Sequence, residues 1–187
     1  MMTRRINFYG GPGSGKSTAA LYTAAKLKRR GLRAELAREY VKHWTYYSRV
    51  PTEWDQIHIF GQQIQEESVL LENGIDIAVV ECPLILGAWY ANTLNPALTP
   101  MLLGLARKFE EAFPSINIFL DRGDLEFDHV GRFTDHNEQA IVEMDRSLYS
   151  FVSDHVGTAN LHVITSPFNW ELDKVLAKVL VSNAGVR

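Results

Sequence analysis

The chain has 187 residues, of which 46% are hydrophobic, and this is enough for one globular domain with a full core. Its net charge of −3 gives no overall basic field for nucleic acid or a membrane surface, and no apolar run approaches the ~20 residues of a membrane helix. A single cysteine, Cys82, excludes an intramolecular disulfide and a cysteine-cluster metal site, and this is typical of a reducing cytoplasm. From the charge, the apolar runs and the cysteine count together, we expect a soluble cytoplasmic protein with no membrane partner.

The first predicted strand, residues 4–9, leads directly into a phosphate-binding sequence. Residues 10–17 read GGPGSGKS, which matches G-x-x-x-x-G-K-[ST], and a helix is predicted over 16–30. Glycines in such a loop let backbone N–H groups approach phosphate oxygens, and the helix N-terminus adds partial positive charge. The pattern predicts a bound nucleoside triphosphate, with Lys16 on the β- and γ-phosphates and Ser17 on Mg²⁺. The residues assigned to the triphosphate are Gly11, Gly13, Ser14, Gly15, Lys16, Ser17 and Thr18.

Strand and helix signals alternate through the rest of the chain. This alternation predicts one domain over 1–187, a three-layer α/β fold with a five-stranded, mainly parallel sheet, and the phosphate loop indicates a fold of the P-loop NTPase type. Further strands are predicted over residues 32–37, 75–80, 116–120 and 161–165. Helices are predicted over residues 51–73, 97–112 and 138–155 and in a last amphipathic segment that contains residues 172–180. The remaining long stretches, 83–96 and 122–136, are predicted to be irregular.

Acidic residues stand at the ends of two predicted strands, where open α/β sheets bind their ligands. Glu81 follows four apolar residues, the position of an acid that holds Mg²⁺ directly or through water, although a solvated strand-end glutamate is the alternative. Glu39 ends the second strand, where a carboxylate accepts the proton of an acceptor hydroxyl or holds the acceptor in line. Surface pairing of Glu39 with Arg38 or Lys42 is the alternative there.

The polar stretch 122–136 carries two arginines, Arg122 and Arg132, each beside a glycine. A phosphoryl group in transfer spreads negative charge, and mobile arginines cover that charge when a lid closes. We therefore predict an arginine-bearing lid over 122–136. A solvated loop whose arginines and aspartates neutralise one another is the alternative.

Aromatic and amide side chains are concentrated after the second and third predicted strands. Groups of these types stack on a flat base and hydrogen-bond to its edge, although core packing is the better explanation for any single member, and only the cluster as a whole favours a base-binding site. The set comprises His43, Trp44, Tyr46, Tyr47, Trp54, Gln62, Gln63, Trp89, Tyr90 and Asn92.

The order of these features resembles the small P-loop kinases of nucleosides and nucleotides. The likeness rests on the phosphate loop, residues 38–40 (Arg-Glu-Tyr), the Gln62-Gln63 pair in a long helix, Glu81 and a late arginine lid. It is greatest to the ribosylnicotinamide-kinase-type domain of bacterial NAD regulators and its phage-encoded relatives, and thymidylate kinases are more distant. For a phage-encoded protein the resemblance implies the host cytoplasm.

The resemblance also implies roles for individual residues. In such enzymes the loop binds ATP, and the acid after the third strand, here Glu81, organises Mg²⁺. The acid after the second strand, here Glu39, contacts the acceptor, and Arg122 and Arg132 of the lid complete the site. Lys16, Glu39, Arg122 and Arg132 are thus the candidate catalytic residues, Ser17 and Glu81 the candidate metal ligands, and ATP and Mg²⁺ the expected cofactors.

Two departures from the family pattern narrow the function. Glu81-Cys82-Pro83 replaces the acid–arginine pair of thymidylate and deoxynucleoside kinases, which favours a hydroxyl over a monophosphate acceptor. The N-K-x-D pattern that reads guanine in GTPases is missing, which favours ATP as the donor. We therefore expect transfer of the γ-phosphoryl group of ATP to a hydroxyl of a nucleoside- or nucleotide-like acceptor.

Two other functions stay open. In the first, the acceptor is a hydroxyl on a modified base in DNA, such as a hydroxymethyl pyrimidine, or a DNA end, although the acidic net charge argues against tight duplex binding. In the second, the protein is a non-kinase ATPase switch, although the third strand ends in a single acid rather than in an acid pair. A homodimer is compatible with each function.

Overall fold

The computed structural model describes residues 4–123, 125, 137–165 and 170–183. Its strands are β1 (Arg5–Tyr9), β2 (Ala34–Ala37), β3 (Ile77–Val80), β4 (Ser115–Asp121) and β5 (Leu161–Thr165). Its α-helices are α1 (Lys16–Arg29), α2 (Lys42–Tyr46), α3 (Asp55–Glu72), α4 (Leu84–Leu94), α5 (Thr99–Ala112), α6 (Glu138–Val156) and α7 (Trp170–Asn183). Single 3₁₀ turns cover Pro96–Leu98 and Thr158–Asn160.

The five strands form one sheet in the order β2-β3-β1-β4-β5, and every neighbouring pair is parallel. Strand β1 is central, with Arg5 opposite Ala78 of β3 and Ser115 of β4. After β1 the chain forms β2 and β3, which lie on one side of β1 within the sheet, and then β4 and β5, which lie on the other side. The carboxyl end of β1 is therefore at the topological switch point, where such sheets bind ligands. The predicted α/β class and five-stranded parallel sheet are confirmed.

Alternate residues of β1 face two different helical layers. Ile6 and Phe8 are fully buried in a cluster that includes Leu27 of α1 and Leu176 of α7. Tyr9 faces the other way, into a cluster formed with residues of α4 and α6. Because side chains alternate along a strand, a central strand covered on both faces buries nearly all of them. The helices thus fix the sheet edge from which the phosphate loop emerges.

The prediction that residues 83–96 are irregular is wrong, because Leu84–Leu94 forms helix α4. This helix packs against α3, α5 and α6 and buries residues on several sides, including Leu84, Leu86 and Trp89. A helix surrounded by other elements carries no polar stripe, so its sequence shows no 3.6-residue period. The next predicted helix starts as a 3₁₀ turn, where the Asn95 side chain accepts a hydrogen bond from Ala97 N.

The predicted lid lies mostly outside the described residues. Arg122, Gly123 and Leu125 are described, and Arg132 lies outside the described part of the chain. Within the described ranges, every helix is too short or too polar to cross a membrane.

Candidate functional site

The phosphate loop joins β1 to α1 at the centre of the carboxyl edge of the sheet. Gly13 and Gly15 adopt φ angles of 77° and 89°, which L side chains rarely allow. Ser14 N donates a hydrogen bond to Gly11 O over 3.2 Å, which closes the turn. The loop therefore needs glycine for its backbone conformation, and it presents the N-terminus of α1 to the edge of the sheet.

Lys16, the first residue of α1, turns back onto the loop. Its ammonium donates hydrogen bonds to Gly10 O over 2.7 Å and to Gly11 O over 2.8 Å. These contacts hold a positive charge within the loop, where a triphosphate oxygen would replace the carbonyls as the acceptor.

A cavity of about 600 Å³ extends from the loop along the carboxyl ends of β2 and β3. This volume lies in the range of small-molecule sites, which is roughly 300–1,000 Å³. Lys16, Ser17, Glu39 and Glu81 all line it. The structure thus brings the four residues to one space, as expected for residues that follow adjacent parallel strands. The other predicted loop residues that line it are Gly13, Gly15 and Thr18.

The two carboxylates of the cavity, Glu39 and Glu81, stand at adjacent strand ends. Glu81 N donates a hydrogen bond to Ala37 O over 3.1 Å, which ties the end of β3 to the end of β2. Both glutamates are half-buried, and within the described ranges neither carboxylate forms a hydrogen bond or an ion pair. The pairing of Glu39 with Arg38 or Lys42 is accordingly not found there, and both acids are available to a ligand.

The residues present fit a magnesium ion. Ser17 and Glu81 offer oxygen atoms to the cavity that Lys16 also lines. Mg²⁺ takes few protein ligands beside phosphate oxygens and water, so it needs no dedicated cluster. Accordingly, the described part of the chain contains no group of three or more histidines, cysteines or acids able to hold a metal by itself.

Arg122 follows β4 and lies against the outer side of the phosphate loop. Its Nη2 donates to Pro12 O over 2.7 Å, and its Nε donates to Asp145 Oδ2 of α6 over 2.9 Å. The side chains of Arg122 and Asp145 are only 11% and 23% exposed. The predicted cation is therefore next to the loop, held by the carboxylate of Asp145, which was not among the residues predicted from the sequence. A signal existed, because Asp145 interrupts the inward stripe of α6 between Ile141 and Leu148.

The aromatic set divides into two parts. Trp89 and Tyr90 line the cavity, with ring centroids 5.0 Å apart and planes at 64°. The rings of Tyr46, Tyr47 and Trp54 are 66%, 80% and 63% exposed. The cavity is also lined by residues that were not predicted from the sequence, among them Val41, Thr45, Gln56, Ile59, Thr93, Leu94 and Met144.

Two members of the predicted set have structural roles. The Arg49 guanidinium stacks 3.6 Å from the ring centroid of Trp44, and buried Gln63 accepts a hydrogen bond from Tyr40 N over 3.3 Å. These contacts hold the segment between β2 and α3 against the long helix. Of the predicted aromatic and amide set, Trp89 and Tyr90 are the members that line the cavity.

Cys82 forms part of the cavity wall. Burial raises the pKa of its thiol well above the ordinary value, and the nearby charges of Glu39 and Glu81 act in the same direction. A thiol that stays protonated is a poor nucleophile and a poor metal ligand. Cys82 therefore contributes mainly an apolar surface to the cavity wall.

Two solved structures share this architecture. The APS kinase of Mycobacterium tuberculosis in complex with AMPPNP and APS aligns with a TM-score of 0.52 at 16% identity, over 98% of each chain. The crystal structure of APE1195 aligns with a TM-score of 0.50 at 17% identity, over 100% of this chain and 98% of that one. The chain has the fold of P-loop kinases. At these identities the likeness shows the fold alone.

No protein-family profile and no curated protein sequence matches the chain. The finer resemblance, to the ribosylnicotinamide-kinase-type domain, therefore stays a prediction.

Proposed function

We propose that this protein is an ATP- and Mg²⁺-dependent P-loop kinase that phosphorylates a hydroxyl of a nucleoside- or nucleotide-like acceptor in the cytoplasm. One observation carries the proposal: a single cavity joins the phosphate loop to two carboxylates and an aromatic wall. The fold shared with an APS kinase solved with AMPPNP supports ATP as the donor.

The residues of the cavity supply the parts that phosphoryl transfer needs. Lys16 and the loop N–H groups bind the β- and γ-phosphates, and Ser17 and Glu81 would hold Mg²⁺, which would supply positive charge to the phosphate oxygens. Glu39 accepts the proton of the acceptor hydroxyl while the oxygen of that hydroxyl forms a bond to the γ-phosphorus. The bond between that phosphorus and the β–γ bridging oxygen breaks, and ADP carries the electron pair away.

The composition of the wall favours an acceptor without phosphate. Lys16 and Lys42 are the only cations among the described residues that line the cavity, and Lys16 belongs to the donor side. Trp89 and Tyr90 offer ring surfaces, and Glu39 and Glu81 bring negative charge. A flat, uncharged or cationic group that carries a hydroxyl is complementary to such a wall. Nucleosides, ribosylnicotinamide among them, belong to this class.

The test is a screen of nucleosides, nucleotides and short DNAs with γ-labelled ATP, with products identified by mass spectrometry. We expect one nucleoside class to gain a single phosphoryl group. Hydrolysis of ATP at the same rate with every acceptor and with none would overturn the kinase proposal in favour of an ATPase switch.

Glu39→Gln tests the base directly. We expect kcat to fall about 10²- to 10³-fold with little change in ATP binding, because an amide cannot take the proton. Glu35→Gln is the matched control, since Glu35 lies on β2, the strand that Glu39 follows, and accepts a hydrogen bond from Lys28 Nζ over 2.6 Å at the surface. An unchanged rate in Glu39→Gln would remove Glu39 from the mechanism.

A second candidate acceptor is a modified base or an end in single-stranded DNA. The exposed residues Tyr46, Tyr47 and Trp54 favour it, since in the sequence they flank Val50 and Pro51, which line the cavity. Exposed aromatic side chains stack on successive bases with little sequence preference. Phosphorylation of oligonucleotides that weakens steeply between 50 and 200 mM salt would support this acceptor, and phosphorylation of free nucleosides alone would exclude it.

A further inference from the structure

Gly11 stands at a position of the phosphate-binding pattern that accepts any residue. Its φ lies outside the left-handed region, so its backbone conformation does not require glycine. A β-carbon at Gly11 would overlap Asp145 Oδ1 and would lie 3.0 Å from Asp145 Cγ and 3.3 Å from Arg122 Nη2. The space beside this loop residue is thus occupied by a carboxylate from a distant helix.

Both carboxylate oxygens of Asp145 accept hydrogen bonds from the Arg122 guanidinium. Its Oδ2 accepts from Arg122 Nε over 2.9 Å, and its Oδ1 accepts from Arg122 Nη2 over 3.3 Å. The same Nη2 donates to Pro12 O over 2.7 Å. The planar guanidinium is therefore held by two groups in directions that its fork geometry matches. These contacts connect the phosphate loop, the residue after β4 and helix α6.

A carboxylate beside a phosphate-binding loop needs a reason, because its charge repels the triphosphate. Within the described ranges, Asp145 forms an ion pair with Arg122 and with no other cation. Neutralised in this way, it adds little repulsion, and it keeps a long, flexible cation in one orientation next to the loop. Preorganised charge stabilises a developing phosphoryl group better than a side chain that must first be ordered.

We propose that Asp145 is the positioning residue of Arg122, and that residue 11 is glycine because any side chain there would displace Asp145. The inference rests on the proposed function only in that a triphosphate binds the loop. Arg122 places its positive charge beside the phosphate loop through its hydrogen bond to Pro12 O, and Asp145 acts through Arg122. Helix α6 thereby completes a nucleotide site whose other parts come from the β1–α1 loop.

A double-mutant cycle on the Kd of AMPPNP, measured by calorimetry, tests this coupling. We expect Asp145→Asn to weaken binding about fivefold and Arg122→Ala about tenfold, and the double variant to bind no more weakly than Arg122→Ala alone. Asp154→Asn, an exposed acid further along α6, is the control and should bind as the native chain does. Equal weakening by Asp145→Asn with and without Arg122, or tighter binding by Asp145→Asn alone, would overturn the inference.

Gly11→Ala tests the steric part without changing a charge. We expect it to weaken AMPPNP binding at least fivefold in the native chain and to add less than twofold in an Asp145→Ala background, where the new methyl group has room. The same loss in both backgrounds would show that Gly11 serves the loop alone and would overturn that part. Circular dichroism of each variant confirms folding.

Kinetics separate this inference from the proposed function. Asp145→Asn should raise KM for ATP and leave KM for the acceptor unchanged, which a general loss of structure would not do. A chain that shows the coupled AMPPNP cycle but phosphorylates no acceptor would overturn the kinase and leave the positioning role. Phosphoryl transfer to an acceptor, together with strictly additive effects of the two substitutions on AMPPNP binding, would support the kinase and overturn the positioning role of Asp145.

Discussion

Polar side chains at the amino ends of the strands have different partners from those at the carboxyl ends. At the amino end, the Arg5 guanidinium donates to Glu67 Oε2 over 2.8 Å and to Phe113 O over 2.8 Å, and it also pairs with Glu110. Next along the strand, Asn7 Nδ2 and Tyr9 Oη donate to Asn117 Oδ1 over 3.0 and 3.1 Å. These side chains bond mainly to one another.

At the carboxyl end the carboxylates of Glu39 and Glu81 have no such partners within the described ranges, and they face an open cavity. Buried polar groups are stable only when they are hydrogen-bonded, so the amino end stabilises the fold and the carboxyl end remains ready for a ligand. Changes at the amino end should therefore affect stability, and changes at the carboxyl end should affect activity.

Lys16→Ala should have the largest effect. We expect phosphoryl transfer to fall more than about 10³-fold, because the charge that meets the β- and γ-phosphates is removed. The free energy of unfolding should change by less than about 1 kcal/mol, since the Lys16 ammonium hydrogen-bonds to the carbonyl oxygens of Gly10 and Gly11 and is not part of the hydrophobic core. Labelled-ATP assays and urea unfolding measure the two quantities. A stability loss as large as that of a core variant would contradict the comparison.

Glu67→Ala tests the other end. It leaves the Arg5 guanidinium, whose side chain is 3% exposed, with one of its two carboxylate partners. Breaking a buried pair costs about 3–5 kcal/mol, so we expect a loss of stability of that order in urea unfolding. Glu66→Ala, an exposed neighbour on α3, is the matched control and should be nearly neutral. If Glu67→Ala kept its stability but lost ATP binding, the amino end would serve the ligand site rather than the stability of the fold, which would contradict the comparison.

The parts of the fold that the sequence predicted have local signals. The phosphate loop is a contiguous motif, and β3 and α6 follow clear apolar patterns. Helix α4 lacks such a signal because neighbouring elements cover it on several sides. Short α2 was also missed, since none of its five residues is buried.

The site divides along the same line. Glu39 and Glu81 were predictable as neighbours, because residues that follow adjacent parallel strands share one edge. The contact of Asp145 with Gly11 and Arg122 joins residues far apart in sequence, and no local pattern encodes it. The roles assigned to these residues remain predictions that the experiments above address.

Cys82 allows a smaller test at the carboxyl end. Burial raises its pKa, so little thiolate is present in the folded chain at pH 8. We expect iodoacetamide to react at least about tenfold more slowly with the native protein than with the protein in guanidinium chloride. Since Cys82 is the only cysteine, mass spectrometry reports this site alone. Equal rates would show that the cavity wall opens readily and that Cys82 is exposed to solvent.

The smallest expected effect is the pH dependence of stability at the amino end. His155 and His162 line a second cavity of about 410 Å³ there, beside Asn117. Burial lowers the pKa of both histidines, helped by Arg107 at His155 and by Lys178 at His162. The unfolded chain therefore binds more protons than the folded chain at pH values between the folded pKa and the ordinary value near 6.5.

The contribution of these histidines to stability is consequently complete above pH 6.5 and is lost as the pH falls toward their lower folded pKa. Solvent screening keeps it below about 1 kcal/mol for each group. Urea unfolding at pH 7.5 and 5.5 should show a smaller pH dependence in a His155→Gln/His162→Gln double variant than in the native chain. His43→Gln provides the control, because His43 is exposed and lies on α2, which follows the carboxyl end of β2 and does not line this cavity. An unchanged pH dependence in the double variant would show that the groups responsible for the pH dependence of stability lie outside this cavity.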